Sequence, residues 1–284
     1  MKLSVIMATY NGAKTIRLSI DSLLNQTFKD FELIICDDAS TDNTFEIISE
    51  YQKKYPRITV LHNETNLRAG ASRNRCIERA KGEYIAILDD DDLALPHRFA
   101  TQIDFLDSHP EYALTGSNVY YFETNDLRVW GTTTFEGEQS SLAVLKGFAF
   151  VNPSTMFRAS VLKEVGGHTV SKITRRTEDY DLFCKLYAAG FKGYNIKEVL
   201  LLYREDSQTI QRRKFKHRVD YVRLRLFWRK KLNLRGSSLL TTFIPLIAWL
   251  VPQPLLLLRR KRKNRVFMEN FTDNPHELLQ RKNV

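Results

Sequence analysis

The 284-residue chain has only three cysteines, Cys36, Cys76 and Cys184, odd in number and without C-x-x-C spacing. They form no disulfide framework and read as reduced, mostly buried thiols of a cytoplasmic protein. No G-x-G-x-x-G turn follows the first apolar run and no P-loop is present, which argues against a nicotinamide-dinucleotide fold and a P-loop nucleotide fold. The opening apolar run, Met1 to Ala8, is too short for a signal peptide, so export through the N-terminus is not expected. His168 and His217 lack metal-ligand spacing. What the chain does have is 43% hydrophobic and 11% aromatic residues, enough to bury a full core as one large α/β domain plus an appendage. Its net charge of +10 is unevenly placed. Seventeen of the 43 Lys and Arg, and one of the 33 acids, Asp220, lie within 211–265, which leaves 26 basic and 32 acidic residues elsewhere. The body is therefore mildly acidic, and the positive tail suits an anionic surface. A nucleic-acid partner fits poorly, because the basic residues flank an apolar stretch instead of interleaving with exposed aromatics.

Apolar runs at Leu3–Ala8, Phe31–Cys36, Ile58–His62 and Tyr84–Leu88 alternate with helical periodicity such as Ile16, Ile20, Leu23 and Leu24. This is the rhythm of a parallel α/β sheet, whose ligands bind beyond the carboxyl ends of the strands. At those ends stand Thr9-Tyr10-Asn11-Gly12, Asp37-Asp38 and the quartet Asp89-Asp90-Asp91-Asp92. Four like charges closing a buried strand repel one another unless a cation, Mg²⁺ or Mn²⁺, neutralises them, and such hard ions need only one or two protein carboxylates. The other reading is a solvated acidic turn capping a helix that starts near Pro96.

The segments Ser4–Gly12, Ile34–Asp42, Asn66–Asn74 and Gly82–Asp92, followed by Asn152–Arg158, Gly166-Gly167-His168, Thr177–Leu182 and Tyr203-Arg204, resemble the family 2 glycosyltransferases over residues 1–210. The resemblance implies a GT-A fold and transfer of a hexose from a nucleotide-diphospho-sugar. It places Ala8, Thr9, Tyr10 and Asn11 against the nucleotide and gives Asp38 a hydrogen bond from the base, which favours a UDP-sugar. Asp37 and Asp38 are also candidate caps for a helix beginning near Thr41. Asn66, Gly70 and Arg204 join the donor-binding set. Arg68 and Arg73 flank Gly70 at a helix start, where a forked guanidinium favours a diphosphate, and the resemblance prefers Arg73; Arg75, Arg79 and Lys81 read as a solvated face. Within the quartet the family pattern makes Asp91 a metal ligand with Asp89 as its companion, turns Asp90 to the ribose, and leaves Asp92 as a cap before Pro96. Asp179, beside Glu178, becomes the catalytic base of an inverting transfer; its local alternative is a helix N-cap. Many relatives carry a histidine two residues after the arginine matching Arg204, where this chain has Asp206.

The expected division is 1–117 for the nucleotide half and 118–210 for the acceptor half of the catalytic domain, 211–265 for a helical extension, and 266–284 for a polar tail. Tyr120, Tyr121, Phe122 and Trp130 are open between stacking on a sugar and core packing. The uncharged stretch 236–258 is broken by Pro245, Pro252 and Pro254, so a straight spanning helix is not expected. A peripheral or re-entrant segment with basic flanks on the cytoplasmic membrane face fits, with packing under the catalytic domain as the alternative. The activity expected is surface-polysaccharide synthesis on a saccharide or lipid-linked acceptor. A nucleotidyltransferase and an inactive nucleotide-sugar-binding module are the competing readings.

Overall fold

The computed structural model describes residues 1–124, 127–205, 215–236 and 238–246, with positions 251, 255, 258, 262, 264, 271 and 279. In chain order these form β1 (Leu3–Thr9), α1 (Ile16–Leu24), β2 (Phe31–Asp37), α2 (Thr44–Lys54), β3 (Ile58–His62), α3 (Ala69–Arg79), β4 (Tyr84–Ile87), β5 (Leu93–Ala94), α4 (Arg98–Ser108), β6 (Leu114–Phe122), β7 (Val129–Thr132), β8 (Gly137–Glu138), α5 (Ser141–Lys146), β9 (Met156–Arg158), α6 (Ala159–Glu164), α7 (Glu178–Ala188), β10 (Gly193–Arg204), α8 (Phe215–Lys231) and α9 (Ser238–Thr242). The four apolar runs of the first ninety residues are β1 to β4.

One sheet runs β3-β2-β1-β4-β9-β6-β10-β5, with β7 on β6 and β8 on β10. β1 pairs in parallel with β2 and β4, and β6 with β10; β9 runs antiparallel between β4 and β6. The first strands are apolar at successive positions because both sheet faces are covered. Alternate side chains therefore serve different layers. Ile6, Ile34, Ile85 and Ile87 pack toward Cys76, Leu186 and Trp228, whereas Val5, Leu33, Ile35 and Ala86 pack toward Ile20, Ile47 and Phe99.

Two expected boundaries do not follow the packing. Position 117 falls inside β6, so the two halves share a strand. The expected extension also shares the core, since Leu224 and Trp228 of α8 belong to the same cluster as Ile6 and Ile34. Trp228 Nε1 donates to buried Asp181 of α7 at 2.7 Å, and Arg225, itself buried, donates to the Leu145 carbonyl at 2.9 Å. The first part of the basic extension is thus a structural layer over α5 and α7. No helix among the described residues is long and apolar enough to cross a membrane. Asp206 and most of 247–284 lie outside the described residues.

Candidate active site

β3, β2, β1 and β4 lie side by side, so the loops that leave their carboxyl ends are neighbours. Their backbones are strained where they meet: Asn11, Ala39 and Arg68 have φ of 56°, 61° and 77°. Each left-handed non-glycine residue costs on the order of 1 kcal/mol, a cost that surrounding contacts must offset. Asn11 shows how. Its amide donates to Ser40 Oγ at 2.9 Å and its Oδ1 accepts from the Thr41 amide at 2.8 Å, which joins the first loop to the second. Asp38 is buried and accepts from Asn63 Nδ2 (2.7 Å) and from the amides of Leu67 and Arg68 (2.8 Å each). It therefore fixes the 66–68 loop. Asp37 accepts from the Ser40 amide and pairs with His62, while the first turn of α2 is held by Asp42, which accepts from the Thr44 amide at 3.0 Å. Neither Asp37 nor Asp38 caps α2: its N-cap is Asn43, which makes no side-chain cap bond, and Asp42 just before it accepts from the Thr44 amide. Arg75 does not simply face solvent either, because its guanidinium donates to the His62 carbonyl at 2.8 Å and to Asn63.

Each aspartate of the quartet has a different environment. Asp89 accepts from Arg73 Nη2 at 2.6 Å, and the same buried guanidinium reaches Glu178 Oε1 at 3.2 Å. Asp90 accepts from Thr9 Oγ1 at 2.5 Å. Gly12 makes that contact feasible, since a Cβ there would sit 2.3 Å from Asp90 Oδ2. Burial pushes the Asp90 carboxyl up to about 6. Asp91 is pushed up to about 7, by burial first and then by Asp89 and Asp90, with Arg204 and its own backbone amide opposing. Asp92 is buried and accepts from the Arg204 amide at 2.8 Å. It is structural, as expected, but it caps nothing: α4 begins at Arg98 with His97 at its N-cap, and Asp92 holds the end of β10. Arg204 Nε donates to the Asp91 carbonyl at 2.7 Å and its guanidinium lies 4.6 Å over the Phe122 ring, so Arg204 braces the quartet from behind.

Arg73, Asp89, Glu178 and Asp179 line one cavity of about 350 Å³ together with Tyr121 and Tyr203. Four candidates scattered over 107 positions thus meet at one place. Thr177, not Asp179, occupies the N-cap of α7; Asp179 lies in the first turn and accepts from the Tyr180 amide at 2.7 Å. Burial raises the Glu178 carboxyl, with Arg73 opposing. A neighbouring cavity of about 390 Å³ is lined by Asn66, Gly70 and the 169–175 segment and also touches Glu178. Ala8 is partly buried and Tyr10 half-exposed at the open side. The aromatic group divides: Tyr121 lines the cavity and stacks on Trp130 at 5.0 Å, whereas Phe122 is core. Among the described residues no three His, Cys, Asp or Glu side chains are grouped to hold a metal unaided. Sequence reasoning missed Arg176 and Glu205, which line the same cavity; both directly adjoin motif positions.

The model of glycosyl transferase family 2 matches residues 4–166. The chain belongs to this family. As a family 2 glycosyltransferase it is 38% identical over 277 residues to the provisionally named glycosyltransferase EpsE of Bacillus subtilis (strain 168), covering 97% of this chain and 98% of that one. It is 34% identical over 213 residues to the UDP-Glc:alpha-D-GlcNAc-diphosphoundecaprenol beta-1,3-glucosyltransferase WfaP of Escherichia coli, with 75% and 81% covered. The crystal structure of S. aureus TarS 1-349 in complex with UDP-GlcNAc superposes with a TM-score of 0.65 at 20% identity over 86% of this chain and 73% of that one, which establishes a shared fold. The family match ends before α7, so Asp179 rests on the geometry of the cavity and on the sequence pattern around it.

Proposed function

We propose that this glycosyltransferase moves a hexose, with inversion, from a UDP-sugar to a hydroxyl of a saccharide or lipid-linked acceptor during synthesis of a bacterial surface polysaccharide. The observation that carries the reading is the joint cavity of Arg73, Asp89, Glu178 and Asp179 at the carboxyl edge of the sheet. The donor named for WfaP and the ligand held by TarS support the choice of uridine.

The residues divide the work. Arg73, held by two carboxylates, presents its guanidinium to the diphosphate. Glu178 is engaged with Arg73, which makes it a positioning residue and leaves Asp179 as the carboxylate that takes the proton of the acceptor hydroxyl. Asp90, in contact with Thr9, faces the ribose side. The donor set fits a divalent cation: burial, Asp89 and Asp90 all destabilise the charged Asp91 carboxylate, an excess of negative charge that a cation would relieve, and Asp89 stands beside it. Asp91 and Asp89 would hold Mn²⁺ or Mg²⁺, which when bound offsets the charge of the departing diphosphate. In Asp179→Asn, transfer should fall by about two to four orders of magnitude with UDP-sugar binding kept. UDP release from UDP-glucose and UDP-N-acetylglucosamine, followed with Mn²⁺ and with EDTA, tests the whole reading. Full activity of Asp179→Asn refutes the assignment of the base, and full activity in EDTA refutes the metal.

For location we propose peripheral attachment to the cytoplasmic membrane face. Exposed Phe227 on α8, with Lys231 over its ring, and exposed Leu240, Phe243 and Ile244 on and after α9 support it, because apolar insertion and attraction to anionic headgroups add.

A further inference from the structure

Asp179 lines a second cavity. It measures about 130 Å³ and shares Phe150, Arg176 and Asp179 with the first, but Arg73 and Asp89 take no part in it; its remaining walls include Val144, Tyr180 and Tyr221. Tyr221 comes from α8. Its ring meets that of Tyr180 edge-on, with centroids 4.9 Å apart at 84°, and its hydroxyl fills the space where a Cβ on Gly147 would lie, 2.5 Å away. Gly147, with φ of 73°, ends α5, so the loop after α5 is shaped around a side chain from the C-terminal extension.

A base that activates an acceptor for inverting transfer must meet the hydroxyl on the side away from the leaving diphosphate. The second cavity contains Asp179 without the diphosphate-binding pair Arg73 and Asp89, as a subsite on that side requires. Its chemistry is that of a sugar subsite: the aromatic rings of Phe150, Tyr180 and Tyr221 offer faces and edges to the C–H surface of a ring, and Arg176 and Asp179 supply polar contacts. Its volume is close to the roughly 150 Å³ of an engineered cavity that holds one benzene ring, so it has room for one six-membered ring and not for a chain. We infer that this cavity receives the terminal pyranose of the acceptor, with Tyr221 of α8 as its wall and selectivity determinant. The inference rests on the transferase reading above.

The test uses the full-length protein, UDP-glucose and UDP-N-acetylglucosamine as donors, and p-nitrophenyl glycosides of glucose, galactose, mannose and N-acetylglucosamine as probe acceptors. At least one glycoside should accept the sugar, and Tyr221→Ala should raise its KM by about tenfold, Tyr221→Phe by less, while the calorimetric Kd for the donor stays within about twofold. If Tyr221→Ala fails to fold by thermal melting, Tyr221→Trp, which keeps an aromatic on α8 but crowds the cavity, carries the same readout. An unchanged glycoside KM in the folded variants, or no accepted glycoside although the donor binds, overturns the inference. Loss of donor binding in the wild-type protein instead overturns the transferase reading, and this inference with it.

Discussion

His168 should make this protein sensitive to mild acid in a way one substitution removes. The imidazole is buried between α3 and α7, with Nδ1 3.3 Å from the Glu178 carbonyl and Nε2 without a partner among the described residues. Burial, and then the charge of Arg73, push its pKa down to about 3. In the unfolded chain it titrates near 6.5, so below that pH the unfolded state binds a proton that the folded state refuses. The stability contributed by neutral His168 is complete above about pH 6.5 and is lost as pH falls toward 3. At pH 5 the unfolded state gains about 1.5 pH units of proton affinity, equivalent to about 2 kcal/mol. The figure barely changes if the folded value lies a unit away, because both values stay below pH 5. Urea unfolding at pH 7.5 and 5.0 measures it. The wild-type protein should lose about 2 kcal/mol more over that interval than His168→Gln, whatever the absolute cost of the substitution. Equal losses would mean that His168 titrates normally and that the packing described around it is wrong.

Arg73→Met should lower stability by about 3 kcal/mol and abolish donor binding, because Asp89 and Glu178 lose their shared cation; a stable variant that still binds UDP in calorimetry would refute the bridge. Trp228→Phe should cost about 1–3 kcal/mol in urea melts, since Asp181 loses its only indole donor and its other oxygen already lacks a partner among the described residues. An unchanged midpoint would show that α8 does not hold α7. The full chain should sediment with anionic vesicles and be released only partly by high salt, which screens the basic residues and leaves apolar insertion intact. Failure to bind such vesicles would end the membrane proposal.

What was legible in the sequence was local. Four apolar runs gave β1 to β4, and the residues just past them gather at one edge because a parallel sheet sends the end of every such strand to the same side. Partnerships across distant sequence were not legible. Nothing near Asp92 announces that it will accept from the Arg204 amide, 112 residues away, and a cap was the natural local reading. Asp37 does not cap α2 because the helix begins only at Thr44, and Asp37 is taken up by the Ser40 amide and His62. The tail misled in another way. In α8 the interleaved Arg223-Leu224-Arg225-Leu226-Phe227-Trp228 hides its buried stripe, and Arg225 is buried although its charge suggested a lipid-facing side chain. Long cationic side chains that end on backbone carbonyls escape pattern reading.

The placement of two tryptophans gives the molecule optical reporters without labelling. Trp130 is stacked on Tyr121, whose ring borders the cavity with Arg73 and Asp89, while the Trp228 indole is tied to Asp181, two positions along the helix from Asp179. Emission from each depends on the polarity and quenching groups at its own side of the base. With the third tryptophan, Trp249, replaced by Phe, Trp130→Phe and Trp228→Phe separate the two signals, so that donor arrival and movement of the C-terminal layer can be followed independently in a stopped-flow fluorimeter.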